Sequence, residues 1–189
     1  MGNKTVAIVH GWAEGAWQSR RFIKALQENG FKYTKNPHEA DIVIGHSAGC
    51  YFVPRDIDAK LVVLIGLPYW PKKPLIISLA QKLAGEIEHH HKSKDLKWWW
   101  KKMAYNILYI FTRHTWRLTL LRKKELSLPR STIGRKIILV HNLSDPFFHP
   151  QSGQALANRL RYKYYGLSGA HDDCWINPKP YIDLLLKEL

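Results

Sequence analysis

Apolar residues in this chain collect into short runs rich in Val, Ile and Leu, separated by polar or amphipathic stretches. VAIV, IVIG, LVVLI and IILV lack the alternation of a half-buried strand, so they predict strands buried on both faces. The predicted strands are Lys4 to Val9, Phe31 to Lys35, Asp41 to Gly45, Leu61 to Ile65, Lys136 to Val140 and Tyr162 to Tyr165. Helical periodicity falls between them, at Trp17 to Asn29 (stopped by Gly30), Ser152 to Arg161 and Pro180 to Leu189. Strands alternating with helices imply an α/β fold: a mostly parallel sheet with helices on both faces.

One connection does not fit a regular crossover. Only NPHEA separates the Phe31 strand from the Asp41 strand, where a parallel connection usually needs a dozen or more residues. Asn36 suits an N-cap, Pro37 the first helical position and Glu39 the third, so a single helical turn replaces the expected helix. The sheet is expected to be exposed there.

The stretch from 72 to 130 has a different character. PLIISLAQKLAGEIEHHH and DLKWWWKKMAYNILYIFTRHTWRLTLL both read as helices, joined by a polar hinge near Lys92 to Asp95. The second interleaves Trp98, Trp99, Trp100, Tyr105 and Tyr109 with Lys97, Lys101 and Lys102. This segment interrupts the strand pattern and is expected to form a helical cap over a core made of 1–71 and 131–189.

Composition refines that picture. A chain of 189 residues with 46% hydrophobic content has room for one substantial core. The net charge of +14 is unevenly distributed, since 72–130 carries fourteen Lys and Arg against four acids and the rest is nearly balanced. Cys50 and Cys174 form neither a metal-ligand spacing nor a disulfide framework, which suits a reducing compartment. The start, MGNKTVAIVHGW, has no signal-peptide apolar region, and Val6 stands where N-myristoylation requires Ser or Thr. The longest apolar candidate, Met103 to Thr112, is ten residues, short of a membrane span, so the expected location is cytoplasmic.

The chemistry-bearing motif is Gly45-His46-Ser47-Ala48-Gly49, a G-x-S-x-G sequence between a buried strand and a short helical segment, Ala48 to Val53. In such an elbow the glycines let strand and helix approach closely while a strained turn lifts the serine hydroxyl above the strand ends. A serine hydroxyl is a weak nucleophile, so it needs a base and a group to orient that base. Asp145 follows the strand run IILVHNLSD, and His171 lies in LSGAHDDCW, between the last strand and the last helix. Taken singly, Asp145 before Pro146 is an ordinary turn former and His171 an ordinary surface histidine. Their order after Ser47, each following a separate strand, points to a Ser-Asp-His triad. Asp172 and Asp173 adjoin His171 and are poorly placed to reach its far ring nitrogen.

Acyl transfer also requires donors for the developing oxyanion. The amide of Ala48, after the nucleophile, is one candidate. The other is the amide of Trp12, because His10-Gly11-Trp12 ends the first strand and is similar to the HG-x signature of a hydrolase oxyanion hole.

With HGW, GHSAG, Asp145 and His171, the chain resembles the small α/β-hydrolases, closest in plan to compact bacterial serine hydrolases. The resemblance covers 4–71 and 131–189 and implies carboxylic-ester hydrolysis through an acyl-enzyme, with no cofactor and no metal. The chain departs from the family in three respects. It begins at what would be the family's third strand, it nearly lacks the helix before the elbow strand, and its elbow helix is cut near Pro54.

The expected function is hydrolysis of a carboxylic ester or lactone, with a hydrophobic acyl group held under the cap. The candidate substrate-binding residues are His10, Gly11, Trp98, Trp99, Met103 and Tyr105. Thioesters and amides use the same constellation. A metal-dependent lactonase would want spaced ligands, for which His89-His90-His91 is a weak candidate. A different class is a non-enzymatic protein that keeps the scaffold and binds an anionic membrane or acidic partner through the basic, aromatic segment. No nucleic-acid recognition motif appears, while the aromatic cap and shortened sheet edge are compatible with a homodimer.

Overall fold

The computed structural model describes residues 4–11, 14–68, 96–110, 134–145 and 147–189. Its strands are β1 (Thr5–Val9), β2 (Lys32–Thr34), β3 (Ile42–His46), β4 (Leu61–Ile65), β5 (Lys136–Asn142) and β6 (Lys163–Leu167). Its helices are α1 (Arg20–Glu28), α2 (Leu96–Ile110), α3 (Pro150–Leu160), α4 (Asp173–Ile176) and α5 (Lys179–Glu188). All strand pairs are parallel, in the order β2-β1-β3-β4-β5-β6.

The unbroken apolar runs have the expected cause. Side chains alternate across the sheet, and every residue of β3 and β4 is buried. Ile42, Ile44, Val63, Ile65, Ile138 and Val140 enter one core with Phe22 and Leu26 of α1, Trp175 of α4 and Tyr181 of α5. Val43, Val62, Leu64, Ile137 and Leu139 enter the other, with Leu156 and Ala157 of α3. Each fully buried Val, Leu or Ile contributes about 1.5–3 kcal/mol relative to exposure. The two cysteines fall in opposite cores, Cys174 in the first and Cys50 in the second, and both are free thiols.

This order has a functional consequence. From β1 the chain steps outward to β2, then returns to place β3 on the other side of β1. Open parallel sheets offer a crevice at such a reversal, outside the carboxyl ends of the strands. Here that crevice lies between the end of β1, at His10 and Gly11, and the end of β3, at Ser47.

The short β2–β3 connection is a single 3₁₀ turn, Pro37–Glu39. Asn36 caps it by accepting a hydrogen bond from the His38 amide at 3.1 Å, and its side-chain amide donates to Glu39 at 2.8 Å. β2 itself is a three-residue edge strand.

Some boundaries differ from those expected. Residues 16–19 form turns, so α1 starts at Arg20 instead of Trp17. The segment after Ser47 is a 3₁₀ helix, Ser47–Phe52, ended before Pro54. β6 runs on to Leu167, and α4 was not anticipated. Of the expected cap, α2 is described and precedes β5 in the chain. The other helix expected there, His89-His90-His91 and the continuation past Ile110 lie outside the described residues. Among the described residues, no helix is long and apolar enough to cross a membrane.

The elbow glycines are required by space. A Cβ on Gly45 would lie 2.9 Å from Cys50 Cα, and one on Gly49 would meet the Val9 carbonyl oxygen and stand 2.7 Å from the His10 carbonyl carbon. Those neighbours are backbone and cannot swing aside. Gly49→Ala is therefore expected to destabilise the protein by about 1–3 kcal/mol, the usual range for overpacking, measured as a lower urea midpoint. An unchanged midpoint would contradict the contact.

Candidate active site

Ser47 follows β3 directly and has φ of 52°. Left-handed backbone at a residue with a Cβ costs roughly 1–3 kcal/mol and persists only where the surroundings impose it. Here β3 and the 3₁₀ helix impose it from either side, through the contacts of Gly45 and Gly49. Arg161, the C-cap of α3, is the other such residue among those described.

Asp145 and His171 are brought together. His171 Nδ1–H donates to Asp145 Oδ2 at 2.7 Å, while Asp145 Oδ1 accepts the amides of Phe147 and Phe148 at 2.8 and 3.1 Å. Burial alone would raise the Asp145 carboxyl, but the His171 ring and the two amides outweigh it and hold it below the usual range. The Phe147 and Phe148 rings pack on the His171 imidazole, at 5.2 and 5.3 Å between centroids. Gly66, just past β4 with φ of 57°, passes beneath the imidazole, where a Cβ would lie 2.9 Å from His171 Cε1.

Ser47 stands at the same edge of the sheet. The ring of its neighbour His46 lies 5.0 Å from that of His171. Among the described residues, no hydrogen bond joins Ser47 Oγ to His171. Such bonds are often long without substrate and tighten in the reacting complex.

The His171 loop is held by its backbone. The His171 carbonyl accepts from His46 Nε2 at 3.1 Å and from Asn142 Nδ2 at 3.3 Å. Asn142 also donates to the Ala170 carbonyl, and its Oδ1 accepts from Tyr181 at 2.5 Å.

Several buried charges beside the site had not been foreseen. Glu14 Oε1 lies 2.5 Å from His46 Nδ1, and its Oε2 accepts the Gly11 amide at 2.6 Å. Lys102 of α2 forms a buried ion pair with Asp172, the residue after His171. Burial would raise the Asp172 carboxyl, but Lys102, His171 and His46 outweigh it and hold it far below the usual range. A sequence signal existed for Lys102 alone, as a lysine among the aromatic residues of its helix. Glu14 carries no motif.

The other residues expected at the site fall as follows. Ala48 is buried directly after Ser47. His10 Nε2 bonds Ser19 Oγ at 2.8 Å, and the Gly11 amide is used by Glu14. Trp98 is buried against Trp17, with ring centroids 6.0 Å apart, and Met103 is half-buried. Trp99 and Tyr105 stand on α2, their side chains outside the described residues, as is Trp12.

Donor atoms of His46, His171 and Asp172 lie within 4.8 Å of one another. A metal cation there would face the Lys102 ammonium and compete with Glu14 and Asp145 for the two imidazoles. The three form an internal charge network and are not assigned as ligands.

With this geometry established, solved structures identify the fold. An α/β-hydrolase fold protein from Burkholderia ambifaria aligns over 98% of this chain and 90% of its own, with TM-score 0.62 and 13% identity. A carboxylesterase structure from the thaumarchaeon Nitrososphaera gargenis aligns over 98% and 89%, with TM-score 0.58 and 14% identity. The thioesterase domain of a curacin biosynthetic pathway aligns over 98% and 91%, with TM-score 0.59 and 12% identity. No family model and no curated protein matches the sequence. The chain has the α/β-hydrolase fold.

The buried Lys102–Asp172 pair makes a testable demand. Lys102→Met leaves the buried Asp172 carboxylate without its ion-pair partner and is expected to lower stability by about 3–5 kcal/mol near neutral pH. Because the Asp172 pKa is depressed in the folded state, the pair stabilises fully above the ordinary carboxylate range and loses its contribution as pH falls. The gap between parent and variant in urea denaturation should therefore narrow below about pH 4. A gap independent of pH would contradict the ion pair.

Proposed function

We propose that the protein is a serine hydrolase that cleaves carboxylic esters or lactones through an acyl-enzyme. The observation that carries this reading is the Asp145–His171 bond at the strand edge from which the strained Ser47 projects. The fold shared with esterases and a thioesterase supports it.

The steps use side chains and water. His171 Nε2 takes the Ser47 proton as Oγ attacks the carbonyl, and Asp145 holds Nδ1–H and stabilises the imidazolium. Backbone amides of Ala48 and Trp12 receive the oxyanion. His171 then protonates the leaving alkoxide, and water enters by the reverse sequence to release the acid. The hydrophobic acyl group lies against α2, which reaches the His171 loop through Lys102 and packs Trp98 on Trp17.

The test is turnover of p-nitrophenyl esters of graded acyl length, with simple and acyl-homoserine lactones alongside. Ser47→Ala is expected to lower kcat/KM by at least about 10³-fold, and Asp145→Asn by a similar factor, since both remove triad members. Undiminished turnover in Ser47→Ala would overturn the assignment, as would a folded parent inactive on every substrate.

A second reading, binding to an anionic membrane surface, is favoured by the outer face of α2. Lys97, Trp100, Lys101, Ala104 and Leu108 are all exposed there, with Trp100 at 63% and Leu108 at 65%. Under this reading the parent pellets with phosphatidylglycerol vesicles and is released by salt, whereas equal affinity for phosphatidylcholine would exclude it.

A further inference from the structure

Triad chemistry makes no use of Glu14 and His46, yet both are buried directly beside the nucleophile, with side-chain exposures of 5% and 0%. Each ring nitrogen of His46 faces an acceptor: Nδ1 meets the Glu14 carboxylate at 2.5 Å and Nε2 meets the His171 carbonyl at 3.1 Å. A neutral imidazole has one N–H and one lone pair, so it would turn a lone pair toward an oxygen. Both contacts are satisfied if His46 carries two protons, and the carboxylate opposite Nδ1 balances the charge.

The same pair touches the three segments that must cooperate. Glu14 Oε2 accepts the amide of Gly11, at the end of β1 beside the proposed oxyanion donor. His46 immediately precedes Ser47, and its Nε2–H holds the backbone of His171. We propose that Glu14 and His46 form a standing carboxylate–imidazolium pair that fixes the β1 end, the elbow and the His171 loop relative to one another. Glu14 is then a positioning residue of the reaction, a role that rests on the hydrolase reading above.

The surroundings favour the ionised pair. Burial would lower the His46 pKa, and its rise above the ordinary imidazole value is driven first by a charged Cys174 sulfur and then by the Glu14 carboxylate. Cys174, pushed up by burial to about 11, is a neutral thiol at neutral pH, so the charge facing His46 there is that of Glu14. Burial would raise Glu14, but the His46 ring and the Gly11 amide outweigh burial and the nearby Asp172, and hold it below its usual range. Among the described residues, the other titratable groups around His46 are His10, Cys50, His171 and the Asp172–Lys102 pair. An oxygen opposite each ring nitrogen of His46 calls for the ionised pair at neutral pH. The pair is lost in acid as Glu14 protonates and in base as His46 deprotonates.

The experiment combines 15N NMR of the histidine rings, hydrogen exchange and kinetics, on the full chain and on Glu14→Gln. In the parent at pH 7.5, one histidine should show both ring nitrogens protonated and should not titrate between pH 6 and 8; its absence in His46→Gln assigns it. In Glu14→Gln that signal should become a neutral tautomer and amides near 11 and 170–172 should exchange faster. On p-nitrophenyl esters, kcat should fall about 10- to 100-fold with KM nearly unchanged, as for a small misplacement of reacting groups. A neutral His46 in the parent overturns the proposal, and the parent spectrum alone decides this should the variant fail to fold. Loss of the imidazolium with unchanged exchange and kcat also overturns it. An inactive parent that retains the imidazolium, with exchange rising in Glu14→Gln, would sink the hydrolase reading while leaving the brace intact.

Discussion

The candidate site depends on how closely the turn after β3 approaches the end of β1. Gly49 rests against the carbonyl groups of Val9 and His10, and Gly45 against the backbone of Cys50, at separations that leave no space for a Cβ. That approach bends the chain sharply enough to hold Ser47 at a φ of 52°. It also sets the elbow beside Gly11, where a Cβ would lie 2.9 Å from that of Ser47. Because β1 and β3 are neighbours at the sheet's reversal, the arrangement opens onto the crevice that such a topology leaves. The strain at Ser47 is sustained by cores on both faces of the sheet.

Around this apolar frame the site is assembled from buried charges, each with a partner. Asp145 is matched by His171 and two amides, Glu14 by His46 and the Gly11 amide, and Asp172 by Lys102. An unpaired buried ion is far more expensive than a paired one, so each pair also constrains the backbone that carries it. Two of the three pairs bear on His171, through its own ring and through the residue that follows it. The third reaches the His171 carbonyl through His46. The imidazole is thus fixed from its ring, its carbonyl and its neighbour.

Much of this was legible in sequence because it is local. Unbroken runs such as LVVLI report strands covered on both faces, and GHSAG encodes the elbow through the spacing of its glycines. Asn36, Pro37 and Glu39 announced a one-turn connection because capping depends on residues adjacent in the chain. Asp145 and His171 could be paired in advance only through their order after Ser47, since their 2.7 Å contact joins positions 26 residues apart. What escaped was long-range electrostatics. Glu14 lies between Gly11 and Gly15 in the sequence with no motif, and its partner is 32 residues away, while Lys102 and Asp172 are 70 apart. The elbow segment read as an ordinary short helix, whereas crowding of the glycine turn and Pro54 leave a 3₁₀ helix.

The central claim is that Ser47 is a nucleophile activated by His171, and covalent trapping tests it without knowledge of the natural substrate. A fluorophosphonate probe should modify the native protein, with peptide mass spectrometry placing the adduct on Ser47. Labelling should be lost in His171→Ala and in the urea-unfolded protein. An adduct on another residue, or native protein that remains unlabelled, would contradict the account.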